Sequence, residues 1–157
     1  MTLHHQTKQQ GFTLIELMVV VVIIAVVLAA GLMSFGSHDG GQLREQWAKT
    51  QGLIQTACDQ AAFKQRLVLI GVDEQGLSVY YKVAGQWTQA DNIQPLSWTP
   101  ETQVEWRAEP SMQQRMQLPK PGWLCWPGGL LTEGEIRADG QVLSWNQTMQ
   151  FKLEQDD

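Results

Sequence analysis

Gly11-Phe12-Thr13-Leu14-Ile15-Glu16 opens into Leu17–Met33, LMVVVVIIAVVLAAGLM, and the reading of this stretch decides the fold. The run from Leu17 to Met33 has no charge and no side-chain hydroxyl, and Leu14 to Phe35 extends it to 22 residues. At ~1.5 Å per residue a helix of that length covers roughly 33 Å, enough for a hydrocarbon core of ~30 Å. A buried strand is excluded by length, since strands rarely exceed ~10 residues. A secretory signal would place a small-residue cleavage site after the apolar run, and Ala29-Ala30 leaves that alternative open. The polar leader, with Lys8, His4 and His5, gives a weak positive-inside signal that orients the remainder of the chain outward.

Working outward, Gly36-Ser37-His38-Asp39-Gly40-Gly41 predicts a hinge or melted turn, because each glycine weakens a helix by up to ~1 kcal/mol. From Leu43 to Ala62, Leu43, Trp47, Ile54, Ala57, Cys58 and Ala61 recur at helical spacing and predict an amphipathic second half of the same helix. Period-two patterning follows. Leu67–Val72 and Leu77–Val83 read as a hairpin around Asp73–Gly76, with weaker strands at Leu96–Trp98, Val104–Ala108 and Trp123–Trp126. The stretch holding Pro110, Pro119 and Pro121 reads as a loop. Glu135–Ala138, Asp139-Gly140 and Gln141–Trp145 form a hairpin with a type I′ signal, and Met149, Phe151 and Leu153 mark a last strand.

The segment around Gly11 resembles the processing motif of the type IV pilin-like family, which includes type IV prepilins and the pseudopilins of type II secretion. The resemblance implies an α+β pilin fold: a long amino-terminal helix, transmembrane in its first half and amphipathic in its second, packed on an antiparallel β-sheet domain. It implies residues 1–11 as a cytoplasmic prepilin leader, 12–36 as the transmembrane and assembly helix, and 37–157 as a periplasmic globular domain. Prepilin peptidase would cut between Gly11 and Phe12, where a side-chain-free residue admits close approach to the backbone, and would methylate the new amino terminus at Phe12. Glu16 is costly in an apolar helix, at roughly 2.5–3.5 kcal/mol near a bilayer centre. In the family it meets a neighbour's terminal amine during filament assembly; the alternative is that it hydrates in the headgroup layer.

The resemblance makes the expected location the inner membrane, single-pass, with the carboxyl-terminal domain in the periplasm. The implied partners are other pseudopilins or pilins, prepilin peptidase and an inner-membrane assembly platform. Within the family, Cys125-Trp126-Pro127-Gly128-Gly129 with Glu133–Ile136 and Asp139-Gly140 looks most like minor pseudopilin H and the related pilin FimT. A minor pseudopilin of type II secretion is therefore expected, with a minor pilin of a type IV pilus, structural, adhesive or DNA-capturing, as the alternative. A tethered binding domain that joins no filament is a third class.

Cys58 and Cys125 suffice for one bridge in an oxidising compartment, and equally for two buried thiols. The histidines are His4, His5 and His38, so no triad is available to the domain; neither enzymatic activity nor a cofactor or metal is expected. Glu133 and Glu135 share a strand face and read as solvated edge acids. The seven tryptophans, Trp47, Trp87, Trp98, Trp106, Trp123, Trp126 and Trp145, divide between core and subunit contacts. Stacking of single-stranded DNA on them is disfavoured by the formal charge of −5.

Overall fold

The computed structural model describes residues 13–34 and 38–156, with side chains described for 13–27 and 41–156. The chain divides into two compact units, Met1–Gly41 and Gln42–Asp157. In the first, helix α1 spans Leu14–Ser34. Its opening turn is fixed by the Thr13 carbonyl, which accepts the N–H groups of Glu16 (3.0 Å) and Leu17 (3.3 Å).

This helix corrects the expectation of a transmembrane half over 12–36, and with it the single-pass inner-membrane, periplasm-facing location. Among the described residues no helix is long and apolar enough to cross a membrane.

Helix α2 runs His38–Lys64. Gly40 and Gly41, expected to melt, lie inside it; residues 36 and 37 of the expected hinge fall outside the described residues. In the second unit α2 is followed by β1 (Val68–Val72), β2 (Gly76–Val83), β3 (Gln86–Gln89), β4 (Leu96–Ser97), β5 (Val104–Arg107), α3 (Pro110–Met116), β6 (Gly122–Cys125), β7 (Gly134–Ala138), β8 (Gln141–Trp145) and β9 (Phe151–Gln155). One antiparallel sheet has the order β3-β2-β1-β6, with β4 also paired to β2; the other has the order β5-β7-β8-β9.

The main core lies between α2 and one face of each sheet. Trp47, Ile54, Ala57, Cys58 and Ala61 from the helix meet Val68, Ile70, Val72, Leu77 and Val79 from the first sheet and Ile136, Leu143 and Trp145 from the second. The one-residue alternation of β1 sends Leu69 the other way, into a smaller cluster with Leu118 and Leu124 beneath Met112 and Met116. β1 is thus covered on both faces, which is why its sequence is continuously apolar.

Two elements were absent from the sequence reading. β3 follows β2 through Ala84 (φ 50°) and Gly85 (φ 80°), a turn with both central residues left-handed. α3 replaces the expected proline loop: Pro110 occupies its first turn, where a missing N–H costs nothing, and Gln117 closes it at φ 52°. Asp139 (φ 49°) and Gly140 (φ 72°) form the expected I′ turn.

The β1–β2 turn is held by Asp73, whose carboxylate accepts the N–H groups of Gln75 (2.9 Å) and Gly76 (3.0 Å) and pairs with Lys120, while its carbonyl accepts Trp98 Nε1–H at 2.9 Å. Burial pushes the Asp73 carboxyl upward, but the hydrogen bonds from Lys120, Gln75 and Gly76 outweigh it and leave the pKa below 3.8. A depressed carboxylate contributes stability that is present above its unfolded pKa and lost as pH falls through the folded one. With both side chains about a third exposed (33% and 32%), screening keeps the pair's contribution near or below ~1 kcal/mol. Asp73→Asn should therefore flatten the acid limb of the stability curve below pH 3.8, as read from urea midpoints across an acid titration; an unchanged limb would remove Asp73 from the account.

Candidate functional site

Two features stand out as candidates for function: the apolar helix α1 with its single acid, and the disulfide-braced domain that follows. Leu14 is 78% exposed, Ile15 71% and Leu17 63%, and Met18 through Ile24, Val26 and Val27 are exposed as well. A helix apolar all round is stable in water only when something covers it. Glu16 sits in its first turn, where the helix dipole favours a carboxylate by ~0.3–1 kcal/mol. Thr13-x-x-Glu16 also matches the capping-box spacing. That spacing went unremarked in the sequence reading; in the structure the Glu16 N–H goes to the Thr13 carbonyl. Gly11 and Phe12 lie outside the described residues.

In the domain, Cys58 of α2 and Cys125 of β6 are joined by a disulfide across 67 residues, with Cα atoms 4.9 Å apart. Both are buried. β6 is continued by a single bridge, Cys125 to Leu131, which leads the chain from the first sheet towards the second.

Five of the seven tryptophans donate their indole N–H internally: Trp47 to Gln141 Oε1 (2.8 Å), and Trp87, Trp98, Trp123 and Trp145 to the carbonyls of Met116 (3.1 Å), Asp73 (2.9 Å), Arg107 (2.9 Å) and Thr132 (3.0 Å). Of the seven only Trp126 is exposed, at 40%. The tryptophans are thus mainly structural.

Glu133 and Glu135 depart from the expected pair of edge acids. β7 lies between β5 and β8 rather than at an edge, and Glu135, with its side chain 18% exposed, pairs with Arg107 (3.2 Å) and Arg137 (3.1 Å). Glu133, Glu135 and Arg107 line an open groove of about 820 Å³ with Met112, Trp126 and Leu130. Among the described residues no group of His, Cys, Asp and Glu is arranged to hold a metal ion.

An exposed apolar helix with one acid in its first turn thus precedes a domain in which a helix packs on antiparallel sheets, a pilin-like fold. The family described as the prokaryotic N-terminal methylation motif matches residues 6–32. Among solved structures, the minor pseudopilin EpsH of the type II secretion system of Vibrio cholerae is similar in two determinations. One is 12% identical with a TM-score of 0.53, covering 69% of this chain and 89% of that one. The other is 13% identical, also with a TM-score of 0.53, covering 71% and 94%. At such identity the likeness is one of fold. No curated protein matches the chain in sequence.

Proposed function

We propose that the chain is a minor pseudopilin, a non-catalytic subunit built into the pseudopilus of a type II secretion system. The observation that carries this is the combination, in one chain, of the methylation motif over residues 6–32 and a domain whose fold is shared with minor pseudopilin EpsH. In this reading prepilin peptidase cuts between Gly11 and Phe12 and methylates Phe12, residues 12–36 form the assembly helix, and the domain from residue 37 faces other pseudopilins. Packing of α1 against neighbouring subunits supplies the cover its apolar surface requires.

Glu16 then stands in a drying interface, where an unpaired carboxylate is expensive and a neighbour's Phe12 amine is the natural counter-charge. Glu16→Ala should leave cleavage intact, giving a mature chain that begins at Phe12 by intact mass, yet reduce crosslinking to neighbouring subunits at matched protein levels by roughly tenfold or more. Unchanged crosslinking would deny Glu16 this role.

The same motif also fits a minor pilin of a type IV pilus. Deleting the gene separates the two: loss of secreted enzymes from the medium with pili intact supports the pseudopilin, and loss of pili with secretion intact supports the alternative.

A further inference from the structure

One end of the domain carries cations that have aromatic rather than acidic partners. Lys64 Nζ lies 5.2 Å from the centre of the Phe63 ring, Arg66 Cζ 3.5 Å from that of Tyr81, and Lys82 Nζ 5.4 Å from that of Trp87. The ion pairs among the described residues involve none of the three. They share an end of the fold because the Lys82 N–H donates to the Leu67 carbonyl (3.0 Å) and Val68 stands between Tyr81 and Cys125, which aligns the exit of β2, the entry of β1 and the exit of β6 just beyond the carboxyl end of α2. Gln65 Nε2 reaches the Pro127 carbonyl at 3.4 Å and ties the turn after β6 to the same end.

The sequence leaves this end without acids. All sixteen Asp and Glu residues of the chain lie outside residues 60–72, 75–90 and 110–132, three segments that meet here. The nearest acid on α2, Asp59, lies more than a turn back from Phe63. A chain of net charge −5 therefore ends on one side in a cationic tip. Phe63 (79% exposed), Val83 (50%) and Trp126 (40%) stand on that tip, carried by α2, by β2 and by the turn after β6.

We propose that this tip rests on an anionic lipid surface, with Phe63, Val83 and Trp126 entering the headgroup layer and Lys64, Arg66 and Lys82 holding lipid phosphates. An indole suits that layer because it has an apolar body and a polar end. Long cationic side chains lay their stems on apolar surface and keep the charged head at phosphate level, an arrangement that the ring contacts already preset. Anionic headgroups attract each such cation, and salt screens the attraction. A rigid protein partner would need a separate socket for each of three apolar side chains on three elements, whereas a fluid layer conforms to them. A nucleic acid is the weaker occupant, since three cations on a body of net charge −5 offer little counterion release. The lipid contact goes beyond the filament reading and does not rest on it.

The test holds the full-length chain in phosphatidylcholine nanodiscs, which shelter the apolar surface of α1, and adds vesicles whose acyl chains carry bromine, a short-range quencher of indole emission. Vesicles of equal parts phosphatidylglycerol and phosphatidylcholine should quench, and vesicles of phosphatidylcholine alone should not. Raising salt from 0.1 M to 1 M, which shortens the screening length from ~10 Å to ~3 Å, should reverse the quenching. Trp126→Phe should remove it, because the other six indoles are buried or half-buried. Lys64→Glu with Lys82→Glu should raise the lipid concentration for half-maximal quenching by roughly tenfold or more. Unchanged urea midpoints check that the variants are folded. Absent quenching overturns the contact, as does quenching that persists in Trp126→Phe or is equal on both kinds of vesicle. Binding of a labelled oligothymidine that needs Lys64 and Lys82, with emission unmoved by vesicles, overturns it too. Quenching without incorporation into a pseudopilus would sink the filament reading alone; incorporation without quenching would sink the lipid contact alone.

Discussion

Replacing Trp123 by alanine is expected to destabilise the domain by about 3–5 kcal/mol, within the range for emptying a buried aromatic site. Trp123 is fully buried on β6. It packs edge-on against Trp145 with ring centres 4.8 Å apart and planes at 80°, the geometry aromatic quadrupoles favour. Its indole N–H donates to the Arg107 carbonyl at the end of β5 (2.9 Å), so one side chain from the first sheet fixes two strands of the second. Room for the ring depends on Gly134: a Cβ there would stand 2.0 Å from Trp123 Nε1. Urea unfolding followed by circular dichroism would show the lowered midpoint. A loss below ~1 kcal/mol would mean that the sheets are held together elsewhere.

The second large effect concerns the Cys58–Cys125 bridge. Closing a loop of 67 residues restricts the unfolded chain by up to ~4 kcal/mol in the loop-entropy account, and native bridges typically contribute ~2–5 kcal/mol. Cys58→Ala with Cys125→Ala should cost about 2–4 kcal/mol, cavity terms staying small because alanine occupies most of each site. Adding reductant to the wild type should reproduce the lower midpoint, and the double variant should ignore reductant. Two alkylated cysteines per chain under denaturing, non-reducing conditions would end the assignment.

Much of this architecture was legible in the sequence because its signals were local. The helical spacing of Trp47, Ile54, Ala57, Cys58 and Ala61 marked the face that α2 buries, and the apolar run Leu67–Val72 marked the strand that the structure gives as Val68–Val72. Asp139-Gly140 announced its turn. What escaped depended on context. Ala84 has no preference for the left-handed conformation it adopts at φ 50°, so the hairpin into β3 left only Gly85 as a trace. Three prolines suggested a loop, although the first stands where a helix tolerates it. Gly40 and Gly41 are helical despite their propensity, since the helix continues on both sides of them.

The same division applies to function. The acid at Glu16 and the glycine at Gly11 drew notice by residue type and spacing alone. Length and composition also suggested a membrane span, which no described helix supplies. The aromatic-seated cations could not be read from the chain, because Arg66 and Tyr81, or Lys82 and Trp87, meet only after the strands are in register. The partners of Glu135 likewise come from β5 and β7 together.

The disulfide also determines how the domain carries mechanical load. A pull entering along α2 and leaving through β9 reaches Cys58, crosses the sulfur bridge to Cys125 and continues into the second sheet by covalent bonds alone. The segment between the two cysteines, with the whole β1–β2–β3 meander inside it, lies off the line of tension as a slack side branch. Its strands need withstand only thermal agitation, so tension along this path passes without peeling the larger sheet.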